Sequence, residues 1–209
     1  MPARAISLAV TALLLGVGPV AAQSPPALQS IEAEGTQFKV TMSDGRVLRS
    51  PQLAGATLVI AVGGSTVRVR IDAVERDPQD TRTDLLAADA IWLHTFSVPG
   101  ADGSSQNFGT PGPHGHRQGF PLAGRSSQQG DFKSAEPGVF ELVCTSGAQG
   151  KCVRFGYRPW SQAADGTRLH AAYNACTRMV RGDYGGAGQP FTIDPGPDAA
   201  DTDDTKSRR

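Results

Sequence analysis

The chain has 209 residues, and its 20 Lys and Arg balance 20 Asp and Glu, for a formal charge of zero. That length holds one or two modest domains, and the balance argues against a dedicated nucleic-acid binder, which carries a basic excess. With 25 Gly and 15 Pro, the composition favours a loop-rich, strand-based domain over long helices.

Residues 1–22 read as a secretory leader. Arg4 supplies the positive start, and Ile6 to Val20, with Leu13-Leu14-Leu15, supplies the apolar stretch. Gly16, Gly18 and Pro19 break it, and Val20-Ala21-Ala22 sets small residues before a cleavage point at Gln23. The apolar run falls short of the ~20 residues of a bilayer span, and no later stretch is apolar enough to cross. The expectation is an exported protein with no transmembrane segment once the leader is removed, folding in an oxidising compartment.

Residues 23–34 read as a linker. Strand patterning begins at Thr36–Met42 and turns at Asp44-Gly45, a strong hairpin signal, into Arg46–Arg49. Thr57–Val62 meets Gly63-Gly64-Ser65 and then Thr66–Ile71, where Val67, Val69 and Ile71 face one way and Arg68 and Arg70 the other. Ala90–Val98 is a longer, more apolar strand. Residues 99–138 are rich in Gly and Pro and form a long excursion with one short strand near Phe120–Leu122. Val139–Cys144 and Lys151–Tyr157 are expected to pair as a hairpin around Thr145–Gly150.

One helix is expected. Leu169, Ala172, Tyr173, Cys176, Met179 and Val180 form an apolar stripe of helical period. Thr167 or Asp165 can cap its start, Arg178 and Arg181 suit the negative end of its dipole, and Gly182 stands where a left-handed C′ residue is wanted. Residues 193–209 carry five Asp followed by three basic residues and read as a disordered tail. The fold class is α+β, predominantly antiparallel β, with this one C-terminal amphipathic helix packed on the sheet.

Three Cys in an exported chain leave at least one unpaired within it. Cys144 and Cys152 flank the expected hairpin turn and are the favoured pair, with Cys144–Cys176 and Cys152–Cys176 as alternatives. Cys176 would sit on the apolar stripe, a poor place for a reactive thiol. His114-x-His116 is a weak metal candidate, since no Cys or carboxylate cluster adjoins it. His170 could meet Asp165 or Asp183, but no nucleophile motif accompanies it. Gly185–Gly188 follows a helix where a phosphate loop would precede one, so it reads as a turn.

Between Gly150 and Asp183 there are six basic residues (Lys151, Arg154, Arg158, Arg168, Arg178, Arg181) against two acidic ones. Arg154, Tyr157, Arg158, Trp160, Arg178 and Arg181 form the candidate binding face, suited by stacking and bidentate contacts to an anionic glycan, lipid or protein segment. The plainer alternative is that these arginines serve the helix end and the surface, or that the acidic tail covers them.

The runs Phe140–Trp160 and Leu169–Thr192 together resemble the ADYC domain, a bacterial extracytoplasmic domain of unassigned biochemical function. The resemblance rests on the strand ending in Cys144, on Lys151-Cys152-Val153, Gly156-Tyr157-Arg158-Pro159-Trp160 and Ala175 to Arg181, and on Gly182-Asp183-Tyr184-Gly185-Gly186. The naming Cys of that last motif is Gly185 here. The resemblance implies a single domain over residues 35–192, a periplasmic or secreted location, and a Cys176 left reduced for want of a partner at 185. It implies no reaction. The first expectation is therefore a non-catalytic binding or structural module without a cofactor. The alternative is an extracytoplasmic hydrolase using His in the 94–116 region, with or without a metal.

Overall fold

The protein, seen in a computed structural model, is described at residues 25–80, 90–100, 102–112, 115–127, 129–133 and 136–191. The leader and the tail from 193 onward lie outside these residues.

Among the described residues, nine strands and two helices follow in chain order. β1 (Leu28–Glu34), β2 (Gln37–Met42) and β3 (Val47–Arg49) make an antiparallel three-stranded sheet in the order β1-β2-β3. The Asp44-Gly45 turn joins β2 to β3 as its residues dictate, with the Asp44 carboxylate accepting the Arg46 N–H at 3.1 Å. β1 occupies most of the expected linker: Ile31 pairs with Val40 and Ala33 with Phe38. A 3₁₀ turn, Ser50–Leu53, leads out of this sheet.

The second sheet runs β4 (Thr57–Val62), β5 (Ser65–Arg76), β6 (Trp92–Pro99), β8 (Gly119–Ala123) and β9 (Phe140–Cys144), with β7 (Ser105–Asn107) pairing β6 beside that path. All its pairs are antiparallel. β7 and β8 both arise within the long excursion. Side chains alternate across this sheet, so β6 and β9 each feed two cores. Phe96 of β6 joins Phe38, Val40, Leu53, Val69 and Ile71 beneath the first sheet, with Phe140 and Leu142 packed alongside. Leu93, Phe120, Leu122 and Val143 face the other way, toward the helices, where they meet Cys152, Val153, Tyr173 and Cys176. The second sheet is thus the middle of three layers. Full burial of one such Phe or Leu contributes roughly 1.5–3 kcal/mol.

The expected hairpin after β9 does not form. Residues 148–154 are a helix, α1 (Ala148–Arg154), ending before the turn at Gly156. Cys152 and Val153 are adjacent and both fully buried in one core, which a strand of period two cannot achieve. Gly150 lets the helix close on the strand it leaves, since a Cβ there would run into the Cys144 carbonyl. α2 (His170–Val180) matches the apolar stripe and buries Tyr173, Cys176 and Thr177. No side chain caps its start; Asp165 instead accepts the Thr167 N–H at 2.9 Å. Gly182 takes the left-handed conformation expected of it, at φ +68°.

The disulfide joins Cys152 to Cys176 and so clamps α1 to α2. The favoured Cys144–Cys152 pairing is overturned, as is the expectation that Cys176 stays reduced. Turning residues 148–154 into a helix points Cys152 at α2 and away from β9. Cys144 holds the free thiol, on the face of β9 opposite Val143 and against Gly109.

Candidate functional site

The arginines of the expected binding face are engaged with the protein itself. Arg154 holds Asp77, with Nε to Oδ2 at 2.7 Å and Nη2 to Oδ1 at 3.2 Å. Arg158 is buried beside Asp80 at 3.7 Å. Arg178 makes a two-pronged contact to Asp131, with Nε to Oδ1 at 2.9 Å, and this guanidinium holds Asp131 below the usual carboxylate range. Arg181 donates to the Gln129 carbonyl at 2.7 Å and lies 3.7 Å from Asp183. These four bind distant loops to the helical layer. Tyr157 stands partly exposed apart from them.

Trp160 lines one cavity, as Arg154 lines a separate groove. The cavity, of about 440 Å³, is bounded by Ala123, Phe132, Lys133, Pro159, Trp160, Ser161, Gln162, Arg168 and His170. Its walls are built locally. Asp165-Gly166 turns the chain so that Gln162 bridges Arg168, and the Leu169 N–H donates to the Ser161 carbonyl at 3.0 Å. Trp160 and Arg168 are thereby set on the two arms of one turn that runs into α2. The opposite wall is fixed by Asn174 of α2, whose amide grips the Phe132 backbone at both ends. Its Oδ1 accepts the Phe132 N–H at 2.8 Å, and its Nδ2 donates to the Phe132 carbonyl at 3.1 Å. Lys133 follows directly, its N–H donated to the Arg125 carbonyl at 3.0 Å.

Among the described residues the lining contains two cations and an imidazole and no carboxylate. Neither Lys133 nor Arg168 makes an ion pair among the described residues. The buried indole N–H of Trp160 has no acceptor among them either. An aromatic wall beside uncommitted donors can hold an anion and stack against what carries it. Lys133 lay in the long excursion and carried no signal of its own. Arg168 was counted among the basic residues but left out of the expected face; the signal that could have placed it is the Asp165-Gly166 turn, which returns the chain toward Trp160.

The histidines divide. His94 is fully buried, stacked on Phe96 and bonded through Nε2 to the Ser50 hydroxyl at 2.8 Å. Burial pulls its pKa down to about 4, against a smaller opposite pull from the backbone at Gly119 and Trp92. It is a core residue out of reach of substrate. His116 lines a separate groove of about 480 Å³ with Glu75, Gln118, Lys151 and Phe155, while His114 lies outside the described residues. No three His, Cys, Asp or Glu among the described residues gather as a metal set. His170 makes no hydrogen bond or ion pair with Asp165 or Asp183, whose carboxylates take Thr167 and the Ala187, Gly188 and Arg181 groups.

Asp183 of the family motif shapes the turn after α2. Buried to 1 %, it accepts the N–H groups of Ala187 at 3.0 Å and Gly188 at 2.9 Å. The Phe191 N–H returns to the Gly182 carbonyl at 2.9 Å and closes this loop. Tyr184 is exposed on it, and Phe191 covers Gly185.

No helix among the described residues is long and apolar enough to cross a membrane. No curated protein and no solved structure matches the chain. The family model of the ADYC domain matches residues 50–198, from the 3₁₀ turn through β4–β9, both helices and the Asp183 loop. The chain therefore belongs to the ADYC domain family, with β1–β3 preceding the matched segment.

Proposed function

We propose that the protein is an exported, non-catalytic binding module and that its cavity at Trp160 takes an anionic ligand, a carboxylate or phosphate borne on a ring or chain that packs against the indole. The observation that carries this reading is the lining itself: among the described residues Lys133 and Arg168 stand beside the Trp160 ring with no ion pair of their own and no carboxylate in the wall. The volume lies within the ~300–1,000 Å³ usual for small-ligand sites. Export is supported by the leader pattern and by the Cys152–Cys176 bridge, which suits an oxidising compartment.

The test is a titration of the leader-free protein with inorganic phosphate, sodium galacturonate and neutral galactose, followed by the two indole N–H resonances in nitrogen-15 NMR. One indole should shift with the anions and not with galactose. Arg168→Ala should weaken binding by roughly 10- to 100-fold, the loss of one charge-assisted contact. An indole pair that responds to none of the three, or to galactose as strongly as to galacturonate, would remove the anion site.

A further inference from the structure

The sheet edges differ in how they are guarded. β1 carries Glu32 and Glu34, β9 carries Glu141, and β3 and β7 are only three residues long. β4, Thr-Leu-Val-Ile-Ala-Val, runs six residues with no charge, Pro or Gly. It pairs with β5 on one side and with nothing on the other among the described residues. Leu58 and Ile60 pack on the core under the first sheet, while Val59 and Val62 are 65 % and 55 % exposed. Soluble proteins normally blunt such an edge with charge, Pro or a bulge, because its open N–H and C=O groups are a template for another strand. β4 has none of these devices.

We infer that β4 is the pairing edge for a second copy of this chain, joined β4 to β4 in antiparallel fashion so that the two larger sheets merge. A two-fold axis normal to the sheet at Val59 sets Val59 opposite its own counterpart, Leu58 opposite Ile60 and Thr57 opposite Ala61, so that the outward and core faces of the two copies each run on. No charge opposes a charge in that register, so the strand is complementary to itself. Arg68 and Arg70 lie one strand back, opposite Val59 and Thr57. In the pair they stand three strand spacings from their counterparts, about 14 Å, beyond the ~8 Å screening length of physiological salt. A strand pairing alone covers less than the roughly 1,200–2,000 Å² of a stable interface, so the association is weak and concentration-dependent. It is independent of the Trp160 cavity.

Sedimentation velocity on the leader-free full chain, across a wide concentration range, should show monomer passing to dimer. Hydrogen exchange at the β4 amides should slow as concentration rises, with other surface amides unchanged. Val59→Lys changes an exposed side chain and should raise the dimer dissociation constant at least tenfold while leaving the thermal transition in place. A chain that stays monomeric throughout overturns the inference. So does a dimer unaffected by Val59→Lys, or one formed without protection at β4. A monomer whose β4 amides become protected by a synthetic Glu-Val repeat peptide would give the edge another occupant and would also overturn self-pairing. If the variant does not fold, the exchange comparison on the unmodified protein decides alone.

Discussion

Arg154 on α1 and Asp77 at the end of β5 stand 77 residues apart and meet as a bidentate pair. Asp77 is 1 % exposed at its side chain and Arg154 24 %. The Asp77 carboxylate also accepts the Gln79 N–H at 3.0 Å, and its own N–H donates to the Ile91 carbonyl at 2.8 Å. The contact ties the helical layer to the turn that leaves the central sheet. Removing one partner of a buried pair strands the other charge, at about 3–5 kcal/mol. Asp77→Ala is expected near the lower end, because Arg154 keeps some access to water. Urea denaturation measures it, and a change within about half a kcal/mol, the range of ordinary surface substitutions, would count against the clamp.

The Cys152–Cys176 bridge spans 24 residues of sequence. For a loop of that size the chain-entropy model gives about 3–4 kcal/mol. Cys176→Ser should lower stability by that order, and reductant should lower the parent protein equally while leaving the variant unchanged. Thiol counting on the denatured, unreduced protein should find one thiol. That count is the same for any single bridge, so peptide mapping is decisive: Cys144 should carry the alkylating label and Cys152 should be linked to Cys176. A labelled Cys176 would refute the clamp.

What the sequence revealed and what it hid divide along sequence distance. The Asp44-Gly45 turn, the Gly63-Gly64 turn and the α2 stripe are local signals, and each element formed where its residues required. Residues 151–157 were misread because Lys-Cys-Val-Arg-Phe mixes polar and apolar residues much as a half-buried strand does. The neighbouring Cys152 and Val153, both apolar, were the contrary clue. The arginine partners Asp77, Asp131 and Asp80 lie far from their arginines in sequence, with nothing local to link them. An apparently free basic face was therefore a set of internal clamps. The cavity lay between these limits: its Trp160 wall was visible, its Lys133 wall was not.

His94 makes stability depend on pH. Burial lowers its pKa from 6.5 to about 4, so the folded state resists protonation that the unfolded chain accepts. Its contribution is complete above pH 6.5 and is lost as pH falls from there toward 4. A shift of this size corresponds to about 3 kcal/mol. Asp131, held low by Arg178, loses its contribution only around and below its ordinary 3.8, so the two windows separate. His94→Gln, which keeps a polar group near Ser50 but does not ionise, should flatten the stability curve between pH 6.5 and 4.5. An unchanged slope there would place the acid sensitivity elsewhere.

Gly185 stands at the naming Cys of the family motif, and its neighbourhood foretells what restoring that Cys would do. Its φ is not in the left-handed region, so a side chain meets no backbone strain there. A Cβ would lie 2.9 Å from Cε2 of Phe191, a ring that is 69 % exposed and able to swing aside. Asp183 holds the loop from beneath through Ala187 and Gly188 and is untouched by the change. Cys176 is engaged with Cys152, and Cys144 faces Gly109 on β9, so neither is placed to receive the new thiol. Gly185→Cys should therefore fold, keep its thermal transition within about half a kcal/mol of the parent in stability, and titrate two thiols per chain where the parent titrates one. A gain in melting temperature that disappears in reductant, with fewer than two thiols, would mean that a new bridge had formed and that the Cys152–Cys176 pairing yields to it.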